Sequence, residues 1–352
     1  MTKHRGFHTA CASIAVLTAG LVAATPSDAH AGTTAIPPGT TLVVQDETTT
    51  SSASLVTLAT HVVTTSYTDE VRRIATSLPV SHSRSGSINT PDRFYFYTRV
   101  GCTSPVTGSS AIQITNILAD ESATLAPNLL VTFPDPGTYS CALTYKIVTG
   151  GTYDNGTDDM VVGTGGAVIA DTPVTSTWAT QCNWAAPYST DPTACTYTSA
   201  NEEEAIAIEF SQTSPARTPV ETTIPAGTTA SVRAAASLTG CGGSGGGSDM
   251  LLCGDTHESW RPSGARSNIE VIPVDSTDPT CAPTYSTNSP EDGVAYASIP
   301  LKVHHSPINN ALTFTTSSTA GCPTEYRIAQ HITTTSGETI VMHQNGSLLY
   351  VY

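Results

Sequence analysis

Charge and aromatic rings are scarce in this chain. Asp, Glu, Lys and Arg make up 12% of its 352 residues and Phe, Trp and Tyr 6%. The polar surface must therefore come from Ser and Thr, and the core from aliphatic side chains. Basic residues are the rarest charged type, 14 against 29 acidic ones, for a net charge of −15. A field of that sign repels phosphate backbones before contact forms, which sets nucleic acid aside as a partner. Helical periodicity is nearly missing. The one stretch that carries it is Thr68–Leu78, where Val71, Ile74, Ala75 and Leu78 share a face, Asp69 and Glu70 start it and Pro79 stops it. Long apolar runs are confined to the start of the chain, and none later approaches the roughly 20 residues that a spanning helix needs.

That early run has the layout of an export leader. Lys3 and Arg5 precede apolar Ala10–Ala24, and Ala29-His30-Ala31 places small residues where a signal peptidase reads. Residues 1–31 are expected to be removed, leaving Gly32 as the first residue and no transmembrane segment. Taking away Lys3, Arg5 and Asp28 leaves 12 basic and 28 acidic residues, a net charge of −16. The expected location is secreted, in the extracellular space or at the cell surface.

One of the nine cysteines, Cys11, lies in the leader, and the remaining eight are an even number in an oxidising compartment, which favours disulfides over metal ligation. Eight cysteines permit 105 pairings, so spacing has to choose. Neighbours in sequence give Cys102 with Cys141, Cys182 with Cys195, Cys241 with Cys253 and Cys281 with Cys322. The first and last pairs are 39 and 41 residues apart, which suggests one bridge made twice.

An internal repeat agrees with that. Ile36-Pro37-Pro38-Gly39-Thr40-Thr41 returns as Ile224-Pro225-Ala226-Gly227-Thr228-Thr229, Cys102 returns as Cys281, and Cys141 with Tyr145-Lys146-Ile147 returns as Cys322 with Tyr326-Arg327-Ile328, at offsets of 188, 179 and 181. The expected division is a first domain over 32–172, an insert or linker with its own disulfide over 173–218, and a second domain over 219–352. The insert could equally be an extra hairpin or the leading strands of the second domain. Arg93–Val100, Thr138–Val148 and Glu325–Thr333, among many others, alternate apolar and polar residues as half-buried strands do. Asn345-Gly346 predicts a closing hairpin.

Asp135-Pro136-Gly137-Thr138-Tyr139-Ser140-Cys141 has the order Asp-x-Gly-x-Tyr-x-Cys. It resembles the sixth strand of immunoglobulin-like domains, and the resemblance covers these seven residues of the first half. It implies that Tyr139 bonds a nearby backbone group, that Cys141 meets Cys102 through the core between two sheets, and that Cys141, Leu143, Tyr145 and Ile147 point inward. The expected fold is all-β, two tandem disulfide-stapled immunoglobulin-like β-sandwich domains.

Chemistry-bearing patterns are few. Ser244 sits in Gly242-Gly243-Ser244-Gly245-Gly246, with Asp255 and His257 following, but a run of glycines cannot form the strained elbow that holds a nucleophile. Asp154, Asn155, Asp158 and Asp159 lack the alternate spacing of a calcium loop. His304 and His305 point to opposite faces of any strand, and His257-Glu258 lacks the second histidine of a zinc helix. No catalytic set, metal site or cofactor is expected. Trp178, Trp184, Tyr188 and Trp260 gather near the short cysteine pairs, as covers for a minor core or as platforms for a ligand. The expected function is a secreted, non-catalytic binding or adhesion protein with a protein or carbohydrate ligand. The alternatives are a subunit of an extracellular fibre or surface assembly, whose cue would be open strand edges at Leu42–Gln45 or Ser347–Tyr352, and a secreted hydrolase with an unrecognised site.

Overall fold

The computed structural model describes residues 31–45, 54–84, 93–103, 110–118, 121–149, 158–183, 205–208, 216–240, 263–286, 293–299, 306–336 and 340–352. These residues are nearly all β, the one helical element among them being a 3-10 turn at Pro279–Cys281.

The first half contains β1 (Thr33–Ile36), β2 (Thr41–Leu42), β3 (Val56–Thr65), β4 (Glu70–Arg84), β5 (Arg93–Cys102), β6 (Ser110–Leu118), β7 (Ser122–Leu125), β8 (Asn128–Phe133), β9 (Gly137–Thr149), β10 (Asp158–Val162) and β11 (Ala167–Val174). The second contains β12 (Thr180–Asn183), β13 (Ala205–Ile208), β14 (Ala216–Thr223), β15 (Thr229–Gly240), β16 (Ser263–Pro273), β17 (Thr284–Tyr285), β18 (Val294–Ile299), β19 (Ser306–Thr315), β20 (Glu325–Ser336) and β21 (Ile340–Val351). In the first half one sheet runs β1-β11-β4-β10-β2, with β7 and β8 on the free edge of β4, and the other runs β3-β9-β5-β6. In the second half one sheet runs β12-β21-β15-β19-β17, with β13 also on β21, and the other runs β14-β20-β16-β18.

Several of these are halves of one broken strand: β1 with β2, β7 with β8, β10 with β11, and β12 with β13, because each pair shares a partner strand or lies end to end against one. Counted that way, and with β17 set aside as an added edge, both halves order their strands 1-8-3-6 and 2-7-4-5. This is the double Greek key of an eight-stranded jelly roll, a β-sandwich in which inward side chains of both sheets meet. Phe94, Phe96, Leu129, Phe133, Ile147 and Ile169 fill the first interior, and Val232, Phe314, Tyr326, Ile328 and Leu349 the second.

The eighth strand carries the same irregularity in both halves. From Ser77 to Val80 on β4, three steps, the partner moves six, from Val168 to Val162. From Ala235 to Ser237 on β15, two steps, the partner moves five, from Leu348 to His343. Three residues are extruded each time. Gly165 and Gly166, both at positive φ, occupy the first bulge, and Asn345-Gly346 stands 180 residues later in the second. Asn345-Gly346 therefore does not close a hairpin: β21 continues through it and pairs with β15 on both sides. The dipeptide suits any tight backbone reversal, and here it serves a bulge.

The helix predicted over Thr68–Leu78 is a strand, β4. Glu70, Arg72, Ile74, Thr76, Leu78, Val80 and His82 are buried and the residues between them are not. The inward face of that two-residue period includes two charged side chains, which hid it, while the visible apolar positions also fit a helical stripe. Pro79 sits where β4 changes partner from β11 to β10, and its carbonyl accepts from the Gly163 N–H at 2.8 Å.

The two long disulfides form as spaced, Cys102–Cys141 and Cys281–Cys322. Each ties the end of the fourth strand or the turn after it to the start of the seventh or the loop before it, and these strands are neighbours in one sheet. Cys102 and Cys141 are directly paired residues of β5 and β9, so this bridge does not cross between the sheets as the immunoglobulin resemblance implied. The Tyr139 hydroxyl donates to the Asp135 carbonyl at 2.9 Å, and Cys141, Leu143, Tyr145 and Ile147 are all buried. The strand order differs from the immunoglobulin arrangement.

The two Ile-Pro-x-Gly-Thr-Thr segments occupy different places. The first joins β1 to β2, and the second joins β14 to β15; each needs its glycine at positive φ, Gly39 and Gly227. Residues 173–218, read as an insert or linker, supply β12 and β13, which pair with β21 as leading strands of the second sandwich. Only Thr175–Ala179 separates β11 from β12.

Candidate functional site

Where the sandwiches meet, β21 is shared between them. Its alternation sends Leu349 and Val351 into the second interior, whereas Leu348 and Tyr350 pack with the core of the first. A strand with apolar neighbours on both faces reads as an unbroken run, which is why Leu348-Leu349-Tyr350-Val351 carries no charged residue and only the hydroxyl of Tyr350 as a polar side-chain group. The same pairing removes the edge expected at Ser347–Tyr352, since β21 lies between β12 and β15. Along Leu42–Gln45 the edge is partly covered: the Val43 N–H donates to the Tyr145 hydroxyl at 2.9 Å and the Gln45 N–H to the Ile147 carbonyl at 2.9 Å.

Beside β21 lies a cleft of about 300 Å³, lined by Arg73, Thr76 and Asn128 from the first sandwich and by Arg233, Asn309 and Tyr350 from the second. Arg73 is on the outward face of β4, opposite to Arg72 and Ile74. Arg233 pairs with Tyr350 across β15 and β21. The Arg73 Nε–H donates to the Tyr350 hydroxyl at 3.1 Å, and that hydroxyl donates to Asn128 Oδ1. The Arg73 guanidinium also lies 5.9 Å from the centre of the Tyr352 ring. On the far side, Gln113 Nε2 donates to Asn309 Oδ1 at 2.6 Å while its Oε1 accepts from the Ala126 N–H at 2.8 Å. These bonds cross between the sandwiches and fix the walls.

Burial pushes the Tyr350 hydroxyl up to about 12, with Arg73 pulling the other way. The phenol therefore stays neutral and acts as a donor. For Arg73, burial works against the charge, but Tyr350 and Tyr352 outweigh it and the guanidinium is held more firmly charged than usual. The cleft thus presents two fixed cations, amides and hydroxyls, in a protein whose overall charge is strongly negative.

A second constellation lies inside the first sandwich. Arg72 Nη1 meets Asp171 Oδ2 at 2.8 Å and Arg72 Nη2 meets Glu70 Oε1 at 2.5 Å. Asp171 Oδ1 contacts His61 Nε2 at 2.8 Å, and His61 Nδ1 contacts the Thr34 hydroxyl at 3.0 Å. Thr34, His61 and Asp171 follow the order hydroxyl, imidazole, carboxylate of a nucleophilic relay. The burial decides against that use. His61 is 3% exposed and Asp171 2%, and Asp171 is already engaged by Arg72 and by the Gly32 N–H at 2.8 Å. The group ties β1, β3, β4 and β11 together across the sandwich.

Of the aromatic candidates, Trp178 is half-buried against the second core, and its carbonyl accepts from the Thr222 hydroxyl at 3.1 Å. That is packing. Trp184, Tyr188 and Trp260 lie outside the described residues, as do Cys195, Cys241, Cys253, Ser244, Asp255, His257, Glu258, His304, His305, Asp154, Asn155 and the side chains of Cys182, Asp158 and Asp159. Among the described residues, no group of three His, Cys, Asp or Glu side chains could hold a metal ion.

No family model matches the chain, and no curated protein matches it. Among solved structures it is similar to the N-terminal CBM22-1-CBM22-2 tandem domain of Xyn10C from Paenibacillus barcinonensis, at 8% identity and a TM-score of 0.16, over 88% of this chain and 98% of that one. At that TM-score the likeness does not establish a shared fold.

Proposed function

We propose that this is an exported, non-catalytic binding protein whose cleft between the two sandwiches takes a small acidic, hydroxyl-rich ligand such as the terminal unit of an acidic sugar chain. The observation that carries the reading is the convergence of Arg73 and Arg233, one from each sandwich, on one cleft. A planar guanidinium matches a carboxylate with two parallel bonds. Asn128, Asn309 and Thr76 supply the bonds that hydroxyl groups need, and the volume suits a ligand at the small end of the usual range. Export fits the disulfides, which persist in oxidising compartments.

Calorimetric titration of the protein with galacturonate oligomers and with their methyl esters tests this. The free acids are expected to bind at least about tenfold more tightly than the esters, with Arg233→Met removing the difference. Equal binding of acid and ester, or an unchanged preference in Arg233→Met, would contradict the reading; tight binding of an acidic peptide with no binding of either sugar would reassign the ligand class.

A further inference from the structure

We infer that cleavage between Ala31 and Gly32 supplies the last cation of the buried network, the α-ammonium of Gly32 seated on Asp171. The Gly32 nitrogen already lies 2.8 Å from Asp171 Oδ1. Glu70 and Asp171 bring two negative charges and Arg72 one positive, all three at most 2% exposed. Apart from His61, the network is one positive charge short. A buried charge without its counterpart is costly, so an interior of this kind calls for a cation at the remaining position.

The socket is cut for the residue that follows the cleavage motif. A Cβ on Gly32 would stand 2.8 Å from Asp171 Oδ1 and 2.8 Å from His61 Cε1, so glycine alone brings its nitrogen this close. Ala31 is exposed, so the leaving side of the peptide bond lies outside the socket while the nitrogen of that bond is held on Asp171. Hydrolysis by a signal peptidase adds water across that bond. The carboxylate departs on Ala31 with the leader, Gly32 keeps the nitrogen as an ammonium, and no net proton is exchanged. One neutral amide donor on Asp171 becomes a charged one. Removal of the leader then completes the interior of the first sandwich, and β1 is held to β11 and β4 by an ion pair that the uncut chain cannot form.

The test uses the product exported from the full-length precursor. Intact mass and amino-terminal sequencing should show a chain that starts at Gly32; any other first residue would overturn the inference. In that product the α-amine should react with an amine-acylating reagent at least about tenfold more slowly when folded than in urea, because reaction needs local opening. Asp171→Asn should bring the folded rate up toward the unfolded one. The wild-type comparison stands by itself if the variant does not fold. An amine that labels equally fast in both conditions would overturn the assignment.

Discussion

The two sandwiches share one strand order and one bulge, yet they fill the space between their sheets with opposite chemistry. In the first, the group between the sheets holds ionised side chains, Arg72 paired with Glu70 and Asp171 on one sheet, and it reaches the other sheet through the His61 contact with Asp171 and the Arg72 bond to the Thr64 carbonyl. In the second they are neutral. Asn310 Nδ2 donates to the Ser267 carbonyl at 3.2 Å and to the Gly293 carbonyl at 2.7 Å, and Gln330 Nε2 donates to the Ser267 hydroxyl at 3.0 Å. Both networks reach from one sheet to the other, since His61 is on β3 facing β4 and β11, and Asn310 is on β19 facing β16 and β20. A neutral network is complete once its hydrogen bonds are made. An ionised one must also balance charge, so it depends on every member and on whatever ion stands at Gly32.

That difference can be broken by removing one member from each side. Asp171→Asn takes the carboxylate from the Gly32 ammonium of the processed chain and leaves that charge stranded, and urea unfolding should show a loss of about 3–5 kcal/mol. Asn310→Ala removes several bonds but leaves no charge stranded, and the loss should be about 1–3 kcal/mol. Equal losses would mean that the charge in the first interior adds nothing to the dependence on its members, and a larger loss for Asn310→Ala would reverse the comparison.

Much of the scaffold was legible because it depends on local pattern. Period-two alternation marked most strands, and the spacing of Cys102, Cys141, Cys281 and Cys322 gave two pairs that form. Local pattern failed where a partner elsewhere sets the outcome. β4 looked helical because its inward face holds Glu70 and Arg72, whose reason for burial is Asp171, a residue 99 positions from Arg72. Asn345-Gly346 looked like a hairpin because nothing nearby shows that β15 runs past both sides of it. The cleft was invisible for the same reason: Arg73 and Tyr350 are 277 residues apart, and each is an ordinary outward residue on its own strand. The signal that could have pointed there was the unbroken apolar run at Leu348–Val351, which announces a strand covered on both faces.

The duplicated sandwich, stapled inside each half, is most directly checked by mapping disulfides on non-reduced peptides with mass spectrometry. The account requires Cys102 joined to Cys141 and Cys281 joined to Cys322. A peptide linking a cysteine of the first half to one of the second, or Cys102 recovered with any partner other than Cys141, would contradict it.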